Sequence, residues 1–137
     1  MKVIDIAAAL LVGADDKTLL VRKRGTRAFM QPGGKIEAGE PAVQALAREL
    51  EEELGLRIDP AQAVFLGEFK APAANEPGFE VRCQLFRVAC HDPVQPAAEI
   101  EEVVWVDARA CSALELAPLT GAVILPAYWQ SLPSAPR

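Results

Sequence analysis

Between Pro41 and Gly55 the chain carries one apolar period that fits an α-helix and little else. Val43, Leu46, Ala47, Leu50 and Leu54 recur at helical spacing, which stacks them on one face. Pro41 suits the first helical position, where its missing N–H is not needed. Gly55 suits the position just past the end, where the backbone turns left-handed. Crowded into the same helix are Glu49, Glu51, Glu52 and Glu53. Each exposed like-charge pair at this spacing costs about 0.2–0.5 kcal/mol. The helix C-terminus disfavours negative charge further.

At ~100° per residue the apolar stripe centres on Leu50. Glu49, Glu52 and Glu53 then share an arc of ~100° beside it, while Glu51 points elsewhere. Something positive must offset three carboxylates gathered on one side. A hard divalent cation is the natural candidate, because magnesium takes oxygen ligands and is commonly held by carboxylates together with substrate phosphates. The alternative is a solvated acidic face, since glutamate is a good helix former.

The rest of the chain limits the choice. It has 137 residues, half of them apolar and 24% charged, the size of one domain with one core. A net charge of −5 argues against a duplex nucleic-acid binder, which would present a basic face. No apolar run approaches the ~18 residues needed to cross a membrane. Lys2 followed by apolar residues resembles the start of a secretion signal, but Asp5 interrupts the stretch, so a first buried strand is expected. Cys83, Cys90 and Cys111 have no ligand-like spacing. They read as reduced, buried fillers, which places the protein in the cytoplasm. His91 has no partner nearby in sequence and receives no role.

The remaining pattern predicts an α+β fold. "VIDIAAALLV" and "TLLVRKR" read as a hairpin around the turn "ADDK". "GTRAFMQPGG" is loop with a short strand before Pro32. "AVFLGEFKA", "FEVRCQLFRVAC" and "EVVWVDA" read as strands. "LTGAVILPAYWQSL" reads as a closing helix that Pro126 would kink, and residues 131–137 read as a frayed tail. A single domain over 1–137, with helices covering a mixed sheet, is expected.

Gly34, five residues, Glu40, seven residues, then "RELEEELGL" from Arg48 to Leu56 resembles the Nudix box. The flanking "FMQPGGKIEAGE" is similar to the approach to the box in MutT-like members, and "AAEIEEVVWVD" to their later acidic loop and strand. The resemblance implies an α/β/α sandwich and a Mg²⁺-dependent pyrophosphohydrolase, with Mn²⁺ as a substitute. Its substrates would be nucleoside diphosphates linked to a further group X. Carried over by position, Glu52 and Glu53 would bind metal. Glu49 would bind metal or deprotonate the attacking water. Gly33 would add a carbonyl ligand, with Gly34 also allowing close backbone approach. Glu40 and Arg48 would form a supporting salt bridge. Glu99 would be the acidic residue outside the box, with Glu101 and Glu102 as rivals. Arg24 would contact substrate phosphate, its alternative being a solvated arginine beside Arg22 and Lys23.

The chemistry is consistent with that implication. Phosphoanhydride hydrolysis needs charge neutralisation on phosphoryl oxygens and an in-line water. No Ser-His-Asp or Cys-His set supports covalent catalysis, and "GGKIEAGE" lacks the ending of a P-loop. The short, MutT-like chain favours a (d)NTP, cleaved to monophosphate and pyrophosphate. Pro72, 16 residues past Leu56, resembles a feature of ADP-ribose hydrolysing members, which keeps ADP-ribose or a nucleotide sugar as alternatives. A nucleotide-sensing module without turnover is a third reading. Phe79, Phe86 and Trp105 are candidates for stacking on a base, though strand aromatics are more often core. Relatives occur as monomers and dimers, so a homodimer is one expected state.

Overall fold

The computed structural model describes residues 2–133. Six strands form one mixed sheet in the order β4-β5-β1-β2-β6, with β3 pairing beside β1. The strands are β1 (Lys2–Val12), β2 (Thr18–Lys23), β3 (Gly33–Lys35), β4 (Val64–Pro72), β5 (Phe79–Ala89) and β6 (Ile100–Val106). Three helices accompany them: α1 (Ala42–Leu54), a short α2 (Ala108–Cys111) and α3 (Leu125–Ser131).

The alternation of β1 builds the sandwich. Ala7, Ala9 and Leu11 pack on one face with Leu46, Leu50 and Leu54 of α1. Ala8, Leu10 and Val12 pack on the other with Ile124 and Tyr128. Both faces are apolar because β1 is central and covered twice. Leu46, Leu50 and Leu54 have no exposed surface, each contributing about 1.5–3 kcal/mol of hydrophobic burial. Tyr128 also donates its hydroxyl to the Asp16 carbonyl at 2.8 Å, tying α3 to the β1–β2 turn.

One departure from simple hairpin pairing creates the cleft. β1 runs parallel to β5 along its whole length but meets β2 only near Val12 and Thr18. The two hairpin arms then splay apart. The segment from Phe29 to Lys35 fills the gap: Met30 bridges to Val21, Ala9 N–H donates to the Pro32 carbonyl, and β3 pairs with Ile6–Ala8. The short strand therefore follows Pro32 rather than preceding it.

Other local expectations shift by small amounts. Pro41 is the extended residue capping α1, not its first helical residue. Gly55 is left-handed (φ 68°) and donates to the Glu51 and Leu50 carbonyls, as a helix-ending glycine does. Ala45 is buried while Val43 and Ala47 are only partly so, which turns the buried face slightly and brings Glu53 inside. Pro126 does not kink a regular helix. It sits in the first turn of α3, and the preceding turn, Leu119–Ile124, is a wider π-helix, one way to accommodate the absent N–H. The short α2, capped by Asp107 through the Ala110 N–H at 2.8 Å, was not expected. Of the predicted frayed tail, Ser131 still closes α3, and residues 134–137 lie outside the described residues. Cys83, Cys90 and Cys111 are buried free thiols, and burial pushes Cys83 up to about 12. No described helix is long and apolar enough to cross a membrane.

Candidate active site

The turn from β3 into α1 places the glycines and glutamates face to face. Gly33 lies at φ 150°, and a Cβ there would fall 2.1 Å from the Ala7 carbonyl oxygen. Only glycine lets the chain lie this close to β1. A Cβ on Gly34 would sit 2.4 Å from the Glu49 carboxyl carbon, so the missing side chain leaves room for that carboxylate.

The three glutamates of the helical arc occupy different environments. Glu53 is 6% exposed. Its Oε1 accepts a 3.3 Å hydrogen bond from Gly33 N–H, and it forms no ion pair among the described residues. Burial pushes its carboxyl up to about 7, and the charges of Glu49 and Glu99 push the same way, while Gly33 N–H and Lys23 oppose them. Glu49 is half-buried and bonds Arg48 Nη1 at 2.9 Å. Burial raises it and Arg48 pulls it back. Glu52 is exposed.

Arg48 organises the outer side. Its guanidinium donates to both oxygens of Glu40, at 2.9 and 3.0 Å, and to the Lys35 carbonyl at 3.2 Å. That fork lowers the Glu40 carboxyl and fixes the face that holds Glu49.

Beyond the box, Glu99 is the acidic-loop residue whose charge reaches Glu53. Its rivals are engaged elsewhere: Glu102 pairs with Arg22 at 3.1 Å and Glu101 with Arg24 at 3.9 Å. Arg24 braces this loop. Its N–H donates to the Glu99 carbonyl at 2.8 Å, and its guanidinium donates to the Ala98 carbonyl at 3.1 Å. Ala98 sits at φ 54°, a conformation a non-glycine residue rarely adopts without such support.

The cleft beside Glu53 has a volume of about 130 Å³ and is lined by Lys23, Gly33, Gly34, Asn75 and Glu76, among others. Arg24 does not line it. Its neighbour Lys23 does, and only the pairing of β2 decides which of two adjacent cations faces inward. Nor does any proposed stacking aromatic line it: Phe86 and Trp105 belong to the core under α1, and Lys2 lies 5.7 Å over the Phe79 ring. Met30, Gln31 and the β4–β5 loop at Ala73–Glu76 line the cleft instead. Periodicity gave no signal for them.

Among the described residues no three Asp, Glu, His or Cys side chains converge tightly enough to enclose an ion. Glu49 is drawn to Arg48, Glu53 to Gly33, and Glu52 faces solvent. The donor set nevertheless suits a hard cation: it is all oxygen, and Glu53 is a buried carboxylate with no ion pair to offset its burial.

The NUDIX domain model matches residues 2–127. The chain belongs to the Nudix family. Its Nudix box runs from Gly34 at the β3 pairing to Leu56, just past α1. The chain is 40% identical over 129 residues to an octanoyltransferase from Myxococcus xanthus, covering 88% of this chain and 34% of that protein. It is 36% identical over 75 residues to an 8-oxo-dGTP diphosphatase from Haemophilus influenzae, covering 52% of this chain and 55% of that one. The matched stretch therefore spans about a third of the first relative and about half of the second. The crystal structure of the MutT protein from Methanosarcina mazei Go1 superposes with a TM-score of 0.77 over 94% of each chain at 21% identity, a likeness of fold.

Proposed function

We infer that this Nudix domain is a Mg²⁺-dependent pyrophosphohydrolase that cleaves a phosphoanhydride of nucleoside diphosphate-X compounds, with a (d)NTP as the preferred class. The products would be the monophosphate and pyrophosphate. The observation that carries the reading is the burial of Glu53 beside Gly33 and Glu49, in a cleft that also holds Lys23. A carboxylate kept in that position against its own desolvation fits a cation-binding role better than a stabilising one.

In this reading Glu49, Glu52, Glu53, the Gly33 carbonyl and Glu99 hold Mg²⁺, for which Mn²⁺ can substitute. Bound there, the ion supplies neutralisation of phosphoryl oxygens and a more acidic water. The chain's own groups do the rest. Lys23 places positive charge at the cleft wall for a polyphosphate. Glu49, oriented by Arg48, is placed to accept a proton from water. Glu40 keeps Arg48 in position, and Arg24 keeps the Glu99 loop in position. The protein would work in the cytoplasm on a small-molecule nucleotide.

Release of phosphate or pyrophosphate from a panel of nucleoside triphosphates, ADP-ribose and nucleotide sugars, with Mg²⁺ and with chelator, tests the reading. Turnover that requires the cation, fastest on a triphosphate, is expected. Failure on every member would favour a nucleotide-sensing module. Fastest turnover on ADP-ribose would give weight to Pro72, which lies at the end of β4 and lines the inner part of the cleft.

A further inference from the structure

Among the described residues the exposed large hydrophobics collect on one strand. Val64 and Phe65 are each 56% exposed and Leu66 42%, with Val3 the one other. The three open β4, which pairs with β5 on one side and stands at the end of the sheet. Its other side presents backbone groups that a further strand can complete.

The phase of that outer row can be read. Ala73 N–H donates to the Phe79 carbonyl at 2.9 Å, and the register between β4 and β5 continues unbroken from Pro72 back to Gly67. Antiparallel ladders alternate, so Phe69 and Ala71 also turn N–H and C=O towards β5. Glu68, Lys70 and Pro72 turn theirs outward. Pro72 fits that phase, because a proline is tolerated where its missing N–H would face away from the ladder.

The two charged residues of the row are opposite in sign and find no counter-charge within the chain. Lys70 forms no ion pair among the described residues. Across from it on β5 is Arg82, a like charge already held by Asp5 at 2.6 Å. Glu68 accepts from an uncharged donor, the Gln84 amide, at 2.9 Å.

We propose that β4 is the interface of a two-fold homodimer: it pairs antiparallel with β4 of a second copy, Glu68 opposite the partner's Lys70 and Lys70 opposite the partner's Glu68. Each such pair exchanges N–H and C=O, and Phe69 meets the partner's Phe69 at the axis. Only slides of two residues keep outward groups facing outward groups. One slide sets Glu68 on the partner's Glu68 and the other sets Lys70 on the partner's Lys70, and like charges directly opposite destabilise a sheet. In the matched register Leu66 and Phe65 come to lie beside the partner's Pro72 and Ala73, which covers the exposed apolar end. Lysine, proline and a bulge are also the means by which proteins blunt an edge strand. Here the bulge falls between Phe65 and Gly67, outside the paired stretch. Pro72 ends that stretch, and the lysine has its counter-charge two residues away.

Sedimentation velocity over a dilution series tests the interface. The wild-type chain of 14.7 kDa is expected to reach twice its mass as concentration rises. Glu68→Lys and Lys70→Glu each set like charges at both cross-strand pairs and should weaken self-association by at least about tenfold. Mixing the two variants, or carrying both changes in one chain, sets lysine against glutamate again and should recover the dimer. Both side chains are exposed, so circular dichroism of the variants should match the wild type. A wild type that keeps the mass of one chain at every concentration would overturn the inference. So would a dimer that the single variants leave intact, or one that the charge swap fails to recover.

Discussion

Replacing Glu53 with glutamine should make the cation-free protein more stable. The carboxyl is raised from 4.5 to about 7 in the fold, chiefly by burial. A tenfold change in proton affinity is worth ~1.4 kcal/mol, so keeping Glu53 ionised inside the domain costs about 3 kcal/mol. Glutamine has nearly the same shape, and its Oε1 can keep the 3.3 Å contact with Gly33 N–H. The folded carboxyl holds its proton more tightly than the unfolded one. Below 4.5 it is therefore protonated in both states and carries no penalty. The penalty grows as pH rises from 4.5 and is complete above about 7. Urea denaturation in EDTA at about pH 8 should find the variant more stable by about 2–3 kcal/mol, and the gap should shrink towards zero as the pH falls to about 4.5. Saturating Mg²⁺ should narrow the gap by stabilising the wild type, because a ligand of the folded state adds stability by mass action. Equal midpoints in EDTA at about pH 8, or a gap of the same size near pH 4.5, would show that Glu53 is not a strained buried carboxylate.

The adjacent glycines should fail in different ways. Gly33→Ala forces a Cβ into the Ala7 backbone and should lower the melting temperature sharply, or prevent folding. Gly34→Ala meets only the end of the Glu49 side chain; it should keep most of the stability and lose turnover and cation affinity, read by thermal melts beside a rate assay. Arg48→Met removes the fork to Glu40 and the bond to Glu49, and should cost about 10–100-fold in cation affinity or activity while circular dichroism stays unchanged.

Much of α1 could be read from the sequence because its signals are local. A helix period, a proline at its start and a left-handed glycine after it are set by residues within a few turns of one another, although the sequence put Pro41 one position too far into the helix. The strands of the sandwich were visible for the same reason. The spacing also placed Glu49, Glu52 and Glu53 on one side of α1. It did not show that Glu53 would be buried, Glu49 half-buried and Glu52 exposed. A small rotation of the helix against β1, set by how Ala45, Leu46 and Leu50 seat in the core, makes that choice, and no helical wheel contains it.

Local sequence was enough to specify the glutamate-bearing helix, its two ends and the glycine pair before it. Only the assembled sandwich put Lys23 rather than Arg24 on the cleft wall, set Arg24 to brace the Glu99 loop, and brought Gln31 against Thr120. The division follows from range: backbone propensity and periodicity act over a few residues, whereas splayed strands and closed sandwiches bring together side chains that are many tens of residues apart and carry no shared pattern.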